Sequence, residues 1–279
     1  MDPLQKKYHR LQEILRQKGR VAVAFSGGVD SSFLLWSAYQ TLGEDAMAIT
    51  VTGAMVPEEE ALKASLFAAR YGIGQLLLPV DVFLLPGFYQ NPPDRCYHCK
   101  RFLFQKIIAE ASARGMTVVE GSNVDDLADY RPGRQALLEL SVASPLLEAG
   151  LTKADIRQLS KEFGLESWDQ PSCACLASRI PYGTAITPEA LRRIDQAEAY
   201  LHSLGVLQVR VRTHGQVARI ETDAEGFSLI CAARESIAEQ LRSLGYGAVS
   251  LDLELYRTGR LNGMGVAPKE NCIDPVDKI

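Results

Sequence analysis

The feature that most restricts the fold is a repeated change of hydrophobic period. Short apolar runs at residues 21–25, 46–51, 75–80 and 117–120 are separated by stretches with helical spacing at 32–42, 58–71 and 100–114. The first run, VAVAF, is nearly continuous, as expected of a strand buried on both faces. Pro57 stands near the start of the second helical stretch, where its fixed φ is tolerated. Strand and helix alternating in this way predict a parallel sheet with helices on both faces. In such sheets ligands bind at the edge formed by the strand C-termini.

After residue 120 the texture changes. The segment GSNVDDLADYRPG (121–133) is polar, and a loop of that length points to function unless it is only a solvated connector. A helix is expected over 152–163, with Thr152 as cap and Asp155 three residues on. The stretch SWDQPSCACLASRIPYGT (167–184) has no period. A strong helix then covers 188–204. VLQVRVRTHG and QVARIET alternate like strands around a His214-Gly215 turn, residues 236–246 are helical, and 248–255 reads as a last strand. The second half is therefore a smaller α+β unit with an antiparallel sheet. The boundary falls within 170–186, giving units of 1–180 and 181–279, and no internal repeat is present.

Of the 279 residues, 47% are hydrophobic and 23% charged, with a net charge of -4. That balance gives no global basic footprint for nucleic acid, although a local patch stays open. No apolar run is long enough for a membrane span, and residues 1–20 read as an amphipathic helix rather than a signal peptide. The expected compartment is the cytoplasm. There the six cysteines are read as thiols, metal ligands or catalysts rather than structural disulfides.

In RVAVAFSGGVDSSFLL (20–35) the first strand gives way to Ser-Gly-Gly and then to a helix start. Gly27 and Gly28 lack Cβ atoms, so backbone N–H groups can approach an anion. The helix N-terminus adds free donors and a positive dipole end. Ser26, Ser31 and Ser32 add hydroxyls, and Asp30 suggests a Mg²⁺-mediated contact or a loop brace. The Gly-Lys-Ser/Thr ending of a Walker loop is missing. The S-G-G-x-D-S pattern resembles the PP-loop ATP pyrophosphatase superfamily, of adenine nucleotide alpha hydrolase-like fold. That resemblance implies ATP cleavage between the α and β phosphates, with AMP passed to an acceptor oxygen.

DRCYHCKRF holds Cys96 and Cys99 as C-x-x-C, and PSCACLASRIPYG holds Cys173 and Cys175. All four cysteines are expected in polar, aperiodic loops. Zn(Cys)₄, a redox dithiol and an iron–sulfur cluster are all compatible with these spacings. Cys231 reads as a core thiol, and Cys272 lies in a tail without pattern. Lys100, beside Cys99, suits an anion or a thiolate. Arg179 with Ser178 suits a phosphate or carboxylate, because a guanidinium fork matches two oxygens. Arg210 and Arg212 share a strand face, either for the substrate's anionic end or as a solvated face.

CYHCK, DYRPG, ACLASRIPYGT and VRVRTHGQVARIE, in that order, resemble the LarE family over residues 20–253. The resemblance implies an ATP-dependent sulfur transferase that serves nickel-pincer nucleotide cofactor biosynthesis and lactate racemase maturation. A carboxylate of pyridinium-3,5-dicarboxylate mononucleotide would be adenylated and converted to a thiocarboxylate. It further implies roles for Asp129 and Arg131 on the nucleotide side and for Glu198 in the substrate site, the alternative for Glu198 being an exposed helix residue. The C-x-x-C matches a cysteine-rich branch, in which Cys96, Cys99 and Cys175 would hold a [4Fe–4S] cluster, rather than a branch that sacrifices a cysteine sulfur. Cys173 would be a spare thiol or an alternative ligand. ATP, Mg²⁺ and the cluster are the implied cofactors. The implied partners are a small-molecule nucleotide and other nickel-pincer biosynthesis proteins, with no nucleic acid and no membrane. A homo-oligomer such as a hexamer is also implied. The rival readings are a PP-loop tRNA thiolation enzyme, an ammonia-using ligase, and a non-enzymatic ATP sensor with a structural zinc.

Overall fold

A computed structural model describes residues 2–127, 132–170 and 174–256. Asp129, Arg131, Cys173 and Cys272, all singled out above, lie outside the described residues. The chain runs α1 (Pro3–Lys18), β1 (Val21–Ala24), α2 (Val29–Leu42), β2 (Ala46–Thr52), α3 (Glu58–Arg70), β3 (Gln75–Pro79), α4 (Arg95–Ser112) and β4 (Thr117–Val119). It continues through α5 (Pro132–Glu139), α6 (Pro145–Glu148), α7 (Lys153–Glu162) and α8 (Pro188–Ser203). The last elements are β5 (Val209–His214), β6 (Val217–Thr222), α9 (Ala224–Ala232), α10 (Arg234–Ser243) and β7 (Ala248–Leu251).

The first four strands form one parallel sheet in the order β3-β2-β1-β4. Alternation along β1 explains its two covered faces. Val21 and Val23 point into a core with Leu11, Leu15, Phe33 and Leu159, from α1, α2 and α7. Ala22 points the other way, toward Phe104, Ile107 and Leu137 of α4 and α5. All three β1 side chains have no exposed surface. The expected parallel α/β sheet is therefore present.

A second, three-stranded sheet has the order β5-β6-β7. β5 and β6 pair antiparallel, pairing Arg210 with Glu221 and Arg212 with Arg219. β7, however, runs parallel to β6, so this sheet is mixed rather than wholly antiparallel. The reason is the connection: α9 and α10 cross over between β6 and β7 and return the chain in its original direction. α9 itself and the short α5 and α6 had no clear sequence period.

α8 joins two packing regions. Leu191 and Ile194 enter a cluster with Met55, Phe88, Leu176 and Ile180. One turn on, Ala197 and Leu201 enter the core of the second sheet with Val209, Ile220 and Leu241. Two helix starts also differ from expectation. α2 begins at Val29, directly after Gly28, so Asp30, Ser31 and Ser32 occupy its first turn. α4 begins at Arg95, because Pro92 and Pro93 end the preceding loop. Cys96 and Cys99 thus lie on a helix, three residues apart and on one face, not in a loop. Among the described residues, no helix is long and apolar enough to cross a membrane.

Candidate active site

A cleft of about 920 Å³ opens at the C-terminal edge of the parallel sheet. Its floor is Ala24 of β1, Ile49, Thr50 and Val51 of β2, and Glu120 just after β4. One wall is the glycine loop, with Ser26, Gly28, Asp30 and Ser31, and another is α4, with Lys100, Leu103, Phe104 and Ile107. The same cleft is lined by Met55 and Cys175.

The glycine loop is shaped for close approach. Gly27 has φ +81°, and a Cβ there would meet the Cβ of Ala64 at 3.3 Å. Gly121 seals the loop from the opposite side, since its Cβ would come within 3.1 Å of the Ser31 backbone nitrogen. The serine hydroxyls brace this shape. Ser31 Oγ donates to the Gly28 carbonyl at 3.1 Å, and Ser32 Oγ donates to that of Gly27 at 3.1 Å. Ser26 Oγ lies 3.1 Å from Ser31 Oγ. Ser32 is fully buried and does not line the cleft, so its hydroxyl serves the loop.

Asp30 points into the cleft with one oxygen held and one not. Oδ2 accepts from Lys153 Nζ at 2.7 Å, whereas Oδ1 is buried without a partner in hydrogen-bond geometry. Desolvation raises this carboxyl above its ordinary range. Lys153 pulls it down, Asp126 pushes it up, and nearby Asn123 pulls it down slightly. A half-buried carboxylate with an open lone pair is suited to a hard cation such as Mg²⁺. Lys153 was not anticipated. The signal was available, because a lysine at the first residue of a helix opposes the helix dipole unless an anion faces it. Glu120 was missed as well. It is buried and accepts from Ser122 Oγ at 2.8 Å and Ser144 Oγ at 2.5 Å.

The thiols approach from two elements. Cys96 and Cys99 come from the start of α4, and Cys175 from the segment that packs beside it, tied down by the Leu176 amide donating to Met55 O at 2.9 Å. Cys99 Sγ lies 3.8 Å from Met55 Sδ. Burial, then the neighbouring Cys175 and Cys96, pushes the Cys99 thiol up to about 12. Cys175 keeps exposed surface as a residue, yet desolvation dominates at its sulfur and raises its pKa. Cys96 is exposed. Among the described residues, no three His, Cys, Asp or Glu side chains are drawn together tightly enough to hold one metal ion. Cys231, expected in the core, is an exposed thiol on α9.

Arg179, Glu198 and Arg212 gather beneath the cysteine segment with Ser178, Arg210 lies over the Tyr256 ring, and none of the five lines the cleft. Arg179 is 1% exposed and gives Nε and Nη2 to the two Glu198 oxygens at 2.9 and 2.7 Å. Its Nη1 donates to the carbonyls of Ala174 and Cys175 at 2.6 and 3.2 Å. Glu198 is buried, not exposed, and also accepts from the Val211 amide at 2.8 Å. Arg212 pairs with Glu221 and donates to the Ser178 carbonyl at 2.8 Å, while Arg210 donates to the Val209 carbonyl at 2.7 Å. The strand face carrying both arginines is buried rather than solvated. In this arrangement Arg179 and Arg212 support the Cys175 segment from below.

No family model matches the chain. It is 35% identical over 264 residues to pyridinium-3,5-bisthiocarboxylic acid mononucleotide synthase of Lactiplantibacillus plantarum, covering 94% of this chain and 96% of that protein. The chain belongs to the LarE family. This LarE-family chain is also 39% identical over 262 residues to an uncharacterized protein of Synechocystis, covering 93% of this chain and 98% of that one. An uncharacterized protein of Methanocaldococcus jannaschii is 29% identical over 257 residues. In this LarE-family chain the glycine loop, Lys100 and Cys175 share one cleft, with Cys96 and Cys99 beside it.

Proposed function

We infer that this chain is an ATP-dependent sulfur transferase that acts on a carboxylate of pyridinium-3,5-dicarboxylate mononucleotide. The observation that carries this reading is the single cleft lined both by the glycine loop and by Cys175. A carboxylate is a poor electrophile because its leaving group would be oxide. Transfer of AMP from ATP makes a mixed anhydride, pyrophosphate departs, and a sulfur nucleophile can then displace AMP. Gly28 and the first turn of α2 would hold the phosphates, with Asp30 and Lys153 beside them. Asp30, with its open oxygen and Asp126 near, suits Mg²⁺. Lys100 would face the developing negative charge from the α4 wall. The chemistry falls to residues 1–180, and residues 181–279 brace the thiol segment and extend the substrate site, with Ser178, Arg179, Glu198, Arg210 and Arg212 at the junction.

The thiols suit a [4Fe–4S] cluster in kind and in number. Cys96, Cys99 and Cys175 are soft donors within electrostatic reach of one another, and a cluster spans more space than one ion. They would be its three protein ligands. When bound this way, such a cluster supplies an iron with an open position for sulfur. Asp129 and Arg131 are assigned to the nucleotide side by family pattern. The enzyme is read as a cytoplasmic homo-oligomer working with other nickel-pincer biosynthesis proteins.

The test is anaerobic purification with iron and sulfide analysis, followed by incubation with ATP, sulfide as the sulfur source, and the dicarboxylate nucleotide. AMP, pyrophosphate and a thiocarboxylate product, with the protein mass unchanged, are expected. A protein lighter by one H₂S, without iron, would replace the cluster route by cysteine sacrifice. Unreacted nucleotide together with thiolated tRNA would overturn the substrate assignment.

A further inference from the structure

Arg95, the first residue of α4, is 4% exposed. Its Nη1 donates to the side-chain carbonyl of Asn91 and, at 3.1 Å, to the carbonyl of Ala177. Its guanidinium lies over the ring of Tyr182, 5.5 Å from the centroid. Asn91 is fully buried, at φ +53°, and its Nδ2 donates to the carbonyls of Pro181 and Thr184 at 2.8 and 3.1 Å. Arg95 and Asn91 therefore clip the Cys175 segment onto the start of α4.

The charge of Arg95 is the unusual part. Arg179 and Arg212 are similarly buried, and each has a carboxylate, Glu198 and Glu221. Among the described residues no carboxylate pairs with Arg95. A buried cation is stable when an anion balances it. What faces Arg95 instead is sulfur. Nη2 lies 3.8 Å from Cys96 Sγ, and the guanidinium interacts electrostatically with Cys99 and Cys175.

We propose that Arg95 is the counter-ion of the three-cysteine site, balancing the negative charge that Cys96, Cys99 and Cys175 carry when they bind metal or sulfur. It is a positioning residue, and the proposal rests on reading these thiols as the sulfur-handling site. Three thiolates on an iron–sulfur cluster leave the loaded site net anionic, so a fixed cation beside it favours the loaded state over three neutral thiols. The same cation makes it easier to add an electron to an iron–sulfur centre at that site.

The experiment uses the full chain, reduced and anaerobic, with Arg95→Lys and Arg95→Gln. Each protein is reconstituted with iron and sulfide, and loss of the cluster to an added iron chelator is followed by its visible absorbance. The protein reconstituted with iron and sulfide is then poised electrochemically. Arg95→Lys is expected to lose its cluster at a chelator concentration within about threefold of the wild type's, and Arg95→Gln at about a tenfold lower one, the effect of about one pK unit. The reconstituted Gln variant should have a lower reduction potential than the wild type and the Lys variant. Loss of the clip alone would weaken both variants alike, so equal weakening overturns the proposal. Arg95→Met, which packs without donors, replaces the Gln variant if that protein fails to fold. Cluster retention and potential unchanged in the neutral variant would overturn the counter-ion role and leave the sulfur-transfer reading standing. A wild type that retains no more iron and sulfide than a Cys96→Ser, Cys99→Ser, Cys175→Ser protein would overturn both.

Discussion

Asp30 and Lys153 meet at the rim of the glycine loop, 123 residues apart in the chain, with Oδ2 and Nζ 2.7 Å from each other. The lysine is about one-third exposed, so the pair contributes little to stability, and both residues line the cleft beside the glycine loop. Lys153→Met is expected to lower ATP–pyrophosphate exchange by about 10²-fold or more, with a shift in unfolding free energy within about 1 kcal/mol. Exchange at the wild-type rate would remove Lys153 from the nucleotide site.

Asp30 itself is held at a cost. Burial raises its folded pKa above the ordinary carboxylate value, so the native state binds this proton more tightly than the unfolded chain does. Stability therefore falls as pH rises from the ordinary value through the raised one, and the loss persists at neutral pH. Asp30→Asn should unfold at equal or higher urea concentration than the wild type near pH 7, with the difference shrinking by about pH 3, while adenylation is lost. Urea midpoints at the two pH values decide the sign.

A Cβ at Gly121 would crowd the Ser31 nitrogen at 3.1 Å, so the loop would have to shift by a few tenths of an ångström. Gly121→Ala is expected to displace the glycine loop, destabilise the protein by roughly 1–3 kcal/mol and weaken ATP binding. Calorimetric titration with ATP, alongside chemical unfolding, would measure both.

Glu198 accepts from Arg179 and from the Val211 amide inside the protein. Glu198→Ala leaves a buried guanidinium without its carboxylate and should cost about 3–5 kcal/mol. Replacing both, as Arg179→Met with Glu198→Leu, should cost less than the single change. A double variant at least as unstable as Glu198→Ala would contradict this account of the pair.

Single Cys96→Ser, Cys99→Ser or Cys175→Ser changes should each lower bound iron and sulfide to well under half of the wild-type content. ATP–pyrophosphate exchange should stay within a fewfold, because the glycine loop is left intact. Cys231→Ser, an exposed thiol on α9, should leave both unchanged. Metal analysis and the exchange assay on the same preparations separate the two halves of the site.

The sequence by itself determined the parallel sheet and its glycine loop. Hydrophobic period is a local property, and Val21, Ala22 and Val23 report directly that β1 is covered on both faces. It also named the cysteines whose sulfurs stand beside the cleft. Only the tertiary structure decided how charges are matched. Arg179 and Arg212 look like free anion binders in sequence, yet Glu198 and Glu221 meet them from 19 and 9 residues away. Lys153 reaches Asp30 from 123 residues away, and Arg95 is left facing sulfur. Periodicity shows which side of an element is buried. The identity of a buried charge's partner depends on chain segments far apart in sequence, and packing alone brings them together.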